Sequence, residues 1–379
     1  MSAFLHFKGQ QAVRKEGKRG TLYLEFMRAV IQLQPKFFVF ENVPGLASAN
    51  NGEVYNIIRS DLGNLGDKQR FEEICSEMNI GASSSDAPPG YDILFDGTVD
   101  APNLGIPQTR RRLIIIGIRR DLFDRFHILK QYQYSSEFEH RLQGKNTLFP
   151  IFPLTAIEAF EGKPLPELQD KYVEIMQAYA DLAKESSILA VTTWREDKWK
   201  NVKFDILEDY FTANNISKTP FRVKQYEEAM DEHEALLKEM NWRDIPVEGL
   251  DIEDDTVEDP NTTQGVMDRM FMIPPDENYQ FVHGTPWQVE GKGISFIYRR
   301  SSPLKPAWTV VAYGGGGTHG YHYERNRAQL TLRERARIQT FTDNYHFTGP
   351  GVRAQIGEAV PPLMAKRIAE AISSLLEEL

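Results

Sequence analysis

The chain has 379 residues, 41% of them apolar, 26% charged and 11% aromatic, the composition of an ordinary globular protein of roughly two domains. A single cysteine, Cys75, excludes an internal disulfide and a cysteine-rich zinc site. The longest apolar run, Leu113 to Ile118, falls far short of the ~20 residues of a membrane span, and no apolar signal core follows the N-terminal basic residues, which points to a reducing, cytosolic location. The net charge of −10 is unevenly spread. Residues 227–259 carry fourteen acidic side chains against Lys238 and Arg243 and read as a solvated face, which leaves the rest of the chain slightly basic. Residues 299–353 hold nine Lys/Arg against Glu324, Glu334 and Asp343, and local positive charge of this kind suits phosphate.

In chain order, Thr21 to Gln34 is apolar at helical spacing and stops before Pro35. Phe37 to Phe40 reads as a buried strand broken by Glu41-Asn42-Val43-Pro44-Gly45, with Glu41 placed directly after it. Phe71 to Met78 predicts a helix that carries Cys75, Gly81 to Gly90 a loop, and Tyr91 to Phe95 and Leu113 to Ile118 two more strands. From about Asp121 the strand–helix rhythm is lost, with helical pieces at Leu168 to Ala183 and Phe221 to Met240. Leu332 to Thr340 and Pro362 to Leu376 close the chain as helices.

Four motifs bear on chemistry. A carboxylate at the end of a buried strand, as at Glu41, sits where open α/β sheets bind ligands and can donate or share a proton near neutral pH; Asn42, Val43 and the Pro44-Gly45 turn would hold it. In Gln108-Thr109-Arg110-Arg111-Arg112, extended backbone aims Arg110 and Arg112 the same way and Arg111 the other, so two guanidiniums could grip a phosphate or a carbonyl. In LTLRERARIQTF, helical spacing puts Arg333 and Arg337 on one face and Arg335 roughly 200° away from Arg333. The fourth, Gln355-Ile356-Gly357-Glu358-Ala359-Val360-Pro361-Pro362, is a turn into the last helix. Gly314 to Gly317 lacks the Gly-Lys-Ser/Thr of a phosphate-binding loop, and His319 and His322 have no further ligands at metal spacing.

FFVFENVPGL, IPQTRRRLIIIGIR, LTLRERARIQTF and QIGEAVPPLMAKRIA, in this order, resemble the later motifs of the DNA (cytosine-5) methyltransferases, and GKRGTLYLEFMRAV resembles the helix before the first of them. The likeness covers about residues 17–120 and 296–375. It implies an α/β fold, the second half of a Rossmann-like S-adenosylmethionine-dependent methyltransferase sheet with an inserted mixed α+β target recognition domain. The corresponding segments are 1–120 (catalytic), 121–310 (recognition) and 311–379 (return to the catalytic domain). By the same resemblance Glu41 contacts the ring nitrogen and amine of a flipped-out cytosine. Arg110 and Arg112 hold its carbonyl and neighbouring phosphate, with Asn42 and Gln108 in support. Glu358, Ala359 and Val360 line part of the S-adenosylmethionine pocket, although the family usually has Asn where Glu358 stands. Arg333 and Arg337 are candidates for phosphate contacts on double-stranded DNA.

The resemblance is to a C-terminal portion. Residues 2–4 align just after the position of the family's Pro-Cys nucleophile, no cysteine stands there, and no GxGxxG occurs. Cys75, in a helix between motifs, has no adjacent basic residue to activate it. An N-terminal methyltransferase half or subunit is therefore expected to supply nucleophile and cofactor loop and to cover the exposed edge and apolar face of the FFVF strand. A non-catalytic DNA-binding subunit and the family's RNA-methylating branch are the alternatives.

Overall fold

The computed structural model describes residues 22–81, 86–185, 192, 194–196, 198–289, 297–312, 320–326 and 329–379. Gly314 to Gly317, His319 and the motif residues before Leu22 lie outside these. The chain divides into two units: 1–100, 111–143 and 368–379 form the first, and 101–110 with 144–367 the second. This differs from the expected three segments, since 121–143 belongs with the first unit and 311–367 with the second.

The first unit is built on one sheet. Helix α1 (Leu22–Leu33) leads to β1 (Phe37–Asn42); α2 (Glu53–Gly63) and α3 (Lys68–Glu77) precede β2 (Tyr91–Asp100), β3 (Arg111–Arg119) and α4 (Ile128–Leu142). The strand order is β1-β3-β2 and both pairings are antiparallel, so the described sheet has none of the parallel pairs of a Rossmann half. Alternation along β1 turns Phe38 and Phe40 inward, and the Phe26 ring of α1 meets both edge-on at 6.0 and 5.4 Å. That face, expected to be bare, is buried beneath the unit's own helices together with Ile58, Phe71, Cys75 and Ile115. The other edge of β1 has no strand beside it among the described residues. Phe38 stands opposite Gly117, where a Cβ would fall 2.3 Å from the Phe38 ring. The ring occupies the space a side chain would need.

The second unit is helical: α5 (Ala156–Glu161), α6 (Gln169–Glu185), α7 (Ile206–Ala213), α8 (Pro220–Glu239), α9 (Gln264–Met272), α10 (Leu332–Ile338), α11 (Val352–Glu358) and the start of α12 (Pro362–Leu376). The mixed α+β region expected over 121–310 shows no strand among the described residues, only single bridge pairs at Arg300 and Ala307. Its apolar periodicity is helical throughout. Beneath α8, His233 and Glu158 are both fully buried. His233 Nδ1 lies 2.8 Å from Glu158 Oε1 and Nε2 lies 2.9 Å from the Phe152 carbonyl oxygen. With an oxygen beside each ring nitrogen, the site suits the imidazolium, which donates from both. Burial opposes that charge, but the Glu158 carboxylate and its hydrogen bond hold the His233 pKa above its ordinary value, with Glu232 adding to the effect.

Two outcomes are expected. Gly117→Ala forces the Phe38 ring aside and costs about 1–3 kcal/mol in urea unfolding. A raised histidine pKa stabilises the fold below its unfolded value of about 6.5, and this contribution disappears as pH rises through the folded value. The melting temperature of wild type should therefore fall more steeply as pH rises above about 6.5 than that of His233→Gln. Equal slopes would show that His233 is not the charged partner.

Candidate active site

In the first unit the sheet brings Glu41 and Arg112 together. β1 runs through Asn42, two residues past the expected end, so Glu41 lies within the strand and not in the loop after it. Its register partner is Ile114, which makes Arg112 the diagonal neighbour on the same face. Arg112 Nε lies 2.7 Å from Glu41 Oε1, with the two side chains 14% and 30% exposed: the pair is formed yet open to solvent. Burial pulls the Arg112 pKa below its ordinary value while the Glu41 charge opposes this. Asn42 Oδ1 accepts the Val43 amide at 2.8 Å and so starts the turn after the carboxylate. Arg111, as alternation requires, goes elsewhere and pairs with Asp100.

The partner expected beside Arg112 is differently employed. Within the second unit, Arg110 is 2% exposed. Its Nη1 donates to the Val310 carbonyl, and its Nη2 donates to those of Gly357 and Ala359, each at 3.1 Å. Three carbonyls occupy the guanidinium, so the proposed grip on cytosine or phosphate does not fit Arg110. Gln108 is buried beside it, donating to the Ile338 carbonyl at 2.9 Å and to Gln339 Oε1 at 2.5 Å, and accepting from the Val310 amide. Gln339 in turn donates to the Ile356 and Ala359 carbonyls at 3.0 and 2.7 Å. The motifs around 108, 339 and 357 thus form one clasp. A Cβ on Gly357 would sit 2.2 Å from the Ala312 amide nitrogen, so only glycine closes it. Gln355 to Glu358, read as a turn, is the end of helix α11.

The expected phosphate contacts are also corrected. Arg333 and Arg337 are 0% exposed and cannot reach DNA from a solvated face. Arg333 Nη2 pairs with Asp254 at 2.9 Å and bonds the Tyr345 carbonyl, while its Nε donates to Thr256 Oγ1. Arg337 pairs with Asp343 at 2.5 Å and donates to the carbonyls of Ala159 and Ile245. The acidic segment is accordingly more than a solvated face. Asp254 neutralises Arg333, and Glu239 binds Lys366 and Arg367 of α12 at 2.6 and 2.9 Å. These acidic partners were missed because they lie far from the arginines in sequence. The Thr331-x-x-Glu334 capping box that starts α10 was readable from its spacing. His322 is buried against the Phe160 ring, and its Nδ1 accepts the amides of Glu324 and Arg325.

Cys75 is 1% exposed in the core of the first unit, and burial, with the Asp86 charge, pushes its thiol pKa up. It is the opposite of an activated nucleophile.

The family model for C-5 cytosine-specific DNA methylase matches residues 9–374. The chain belongs to this family. It is 49% identical over 363 residues to the DNA (cytosine-5-)-methyltransferase M.ApeKI of Aeropyrum pernix, covering 95% of this chain and 76% of that protein. The type II methyltransferases M.BbvI of Brevibacillus brevis and M.NgoFVII of Neisseria gonorrhoeae are 28% and 27% identical over 94% and 96% of this chain. The chain spans 63% and 65% of those two relatives. No helix among the described residues is long and apolar enough to cross a membrane.

The residues expected at the S-adenosylmethionine pocket do not by themselves make one. Glu358 is exposed at the end of α11, and the Ala359 carbonyl is taken by Arg110 and Gln339. Glu358, Ala359 and Val360 offer at most a wall.

Because Arg337 is held by buried partners, Arg337→Ala should cost about 3–5 kcal/mol. The loss should be nearly the same at about 0.1 M and about 1 M salt. A loss that vanishes at high salt in urea titrations would return Arg337 to the surface.

Proposed function

We propose that this chain carries the cytosine-binding and DNA-recognition part of a DNA (cytosine-5) methyltransferase, which moves a methyl group from S-adenosylmethionine to carbon 5 of a cytosine flipped out of double-stranded DNA. The observation that carries this reading is the Glu41–Arg112 pair, a carboxylate and a guanidinium 2.7 Å apart at the end of a sheet, half open to a ligand. A cytosine presents the matching groups on one edge: ring nitrogen, amine and carbonyl. Glu41 would face the nitrogen and amine, and a proton shared there draws electrons from the ring and makes carbon 6 electrophilic. Arg112 would hold the carbonyl while fixing the Glu41 side chain. Extrusion of the base is required because carbon 5 is shielded within the stack. Residues 121–310 would serve as the target recognition domain.

Attack on carbon 6 needs a thiolate, and Cys75 is sealed in a core. In this reading the nucleophilic cysteine and the remainder of the cofactor site come from outside these 379 residues, on an N-terminal methyltransferase half or partner subunit. The same burial favours a second reading, a DNA-binding subunit without chemistry of its own.

The assay is transfer of labelled methyl to duplex DNA by the chain alone and with a cysteine-bearing N-terminal half from the family. Activity is expected only in the mixture. There, Glu41→Gln should lower turnover by about 10²–10⁴-fold with DNA affinity nearly unchanged, and Cys75→Ala should leave turnover intact. Turnover by the chain alone that Cys75→Ala abolishes would overturn the assignment of the nucleophile. A complex that binds DNA without turnover would favour the subunit reading.

A further inference from the structure

Helix α10 carries a third arginine whose surroundings differ from those of Arg333 and Arg337. Arg335 is 3% exposed, yet it has no carboxylate partner among the described residues. Among the described residues one hydrogen bond, from Nη2 to the Val311 carbonyl at 2.5 Å, holds it, and its buried Nε meets no acceptor. Burial, with the like charge of Arg353, pulls its pKa down to about 10. A guanidinium in this state is costly unless something else brings a negative charge to it.

Arg335 lines a small pocket with Ser301, Trp308, Thr309, Gly320 and Leu330. Its volume of about 20 Å³ is room for one oxygen-sized group, too little for a ring or a nucleoside. The ring of Trp308, one of the lining residues, carries the Arg299 guanidinium over it, with Asp276 the carboxylate that acts on Arg299. Asp276 is itself paired with Lys305. Arg335 is the one charged side chain among the described residues that line this cavity, so a group entering it meets a positive charge with no carboxylate in the lining.

We propose that this pocket binds one anionic oxygen of a DNA backbone phosphate, with Arg335 as the residue that takes it. The proposal rests on the reading of DNA as the substrate, and it moves the phosphate contact from Arg333 and Arg337 to the arginine between them.

Two measurements on the full chain test it, each with Arg335→Met. The first uses sulfate as the probe: thermal midpoints are compared in sodium sulfate and sodium chloride at equal ionic strength. General stabilisation by sulfate acts on both proteins alike and cancels in the comparison. Wild type should gain more from sulfate than Arg335→Met, and equal gains would overturn the anion site. In chloride the variant should melt at or above the wild-type midpoint, because a buried charge without a counter-charge has been removed. A lower midpoint, or failure to fold, would mark a structural arginine and also overturn it. The second is the salt dependence of binding to duplex DNA, whose logarithmic slope should fall by about one in Arg335→Met. An unchanged slope would overturn the phosphate contact. Absence of duplex binding by wild type would instead overturn the DNA reading itself, while the sulfate comparison would still decide the anion site.

Discussion

The second unit depends on guanidinium groups that bind main-chain carbonyls. A guanidinium offers five donors in one fixed plane, so a single side chain can tie several strands of irregular backbone at once. Arg110 takes three carbonyls, Arg337 takes two and a carboxylate, and Arg300 takes those of Met270, His322 and Arg325 together with Asn326 Oδ1. In a unit that lacks a sheet among its described residues, these bonds satisfy the carbonyls that a ladder would otherwise take up. Asp343 beside Arg337 and Asp254 beside Arg333 supply the charge that makes the burial of those two tolerable.

The first unit uses charge in the opposite manner. There the apolar face of a sheet provides the core, and Glu41 and Arg112 sit on its rim, paired but reachable. A pair that is already formed holds each partner in place, and under the proposed reading a cytosine would exchange into it group by group. Sealed Arg110 and Arg337 have their guanidiniums taken up by the chain's own carbonyls, whereas Arg112 stays partly exposed beside Glu41.

Much of this was readable from the residues. Helix α1, the β1 strand, the helix around Cys75 and the final helix follow from apolar spacing and from Pro35 and Pro362, because local periodicity sets them. The antiparallel order of the sheet was not readable, since three apolar strands carry no sign of their direction. The arginines misled for a related reason. Sequence displays a charge but not its acceptor, and carbonyl oxygens belong to every residue and mark none. Arg110 and Arg112 look equivalent as alternating residues of one strand, yet β3 begins at Arg111, so the rule of alternation did not extend to Arg110. Likewise the acidic run read as solvated because its partners, Arg333, Lys366 and Arg367, stand about a hundred residues downstream.

The clasp of Gln108, Arg110, Gln339 and Gly357 also bears on how this chain can change. Arg110 and Val310 are 200 positions apart in sequence and adjacent in space. Between them the helices are tied down again, by Arg337 at Ala159 and Ile245 and by Arg333 at Asp254, so it is the connecting loops that are free to vary in length. The entropy of closing such a loop grows only with the logarithm of its length, about 0.6 kcal/mol for each doubling. Insertions and deletions in the loops of that span are therefore inexpensive for the clasp, so long as its three side chains and the glycine stay. Under the proposed reading of 121–310 as the recognition domain, such a frame would let its loops diverge without loosening the rest.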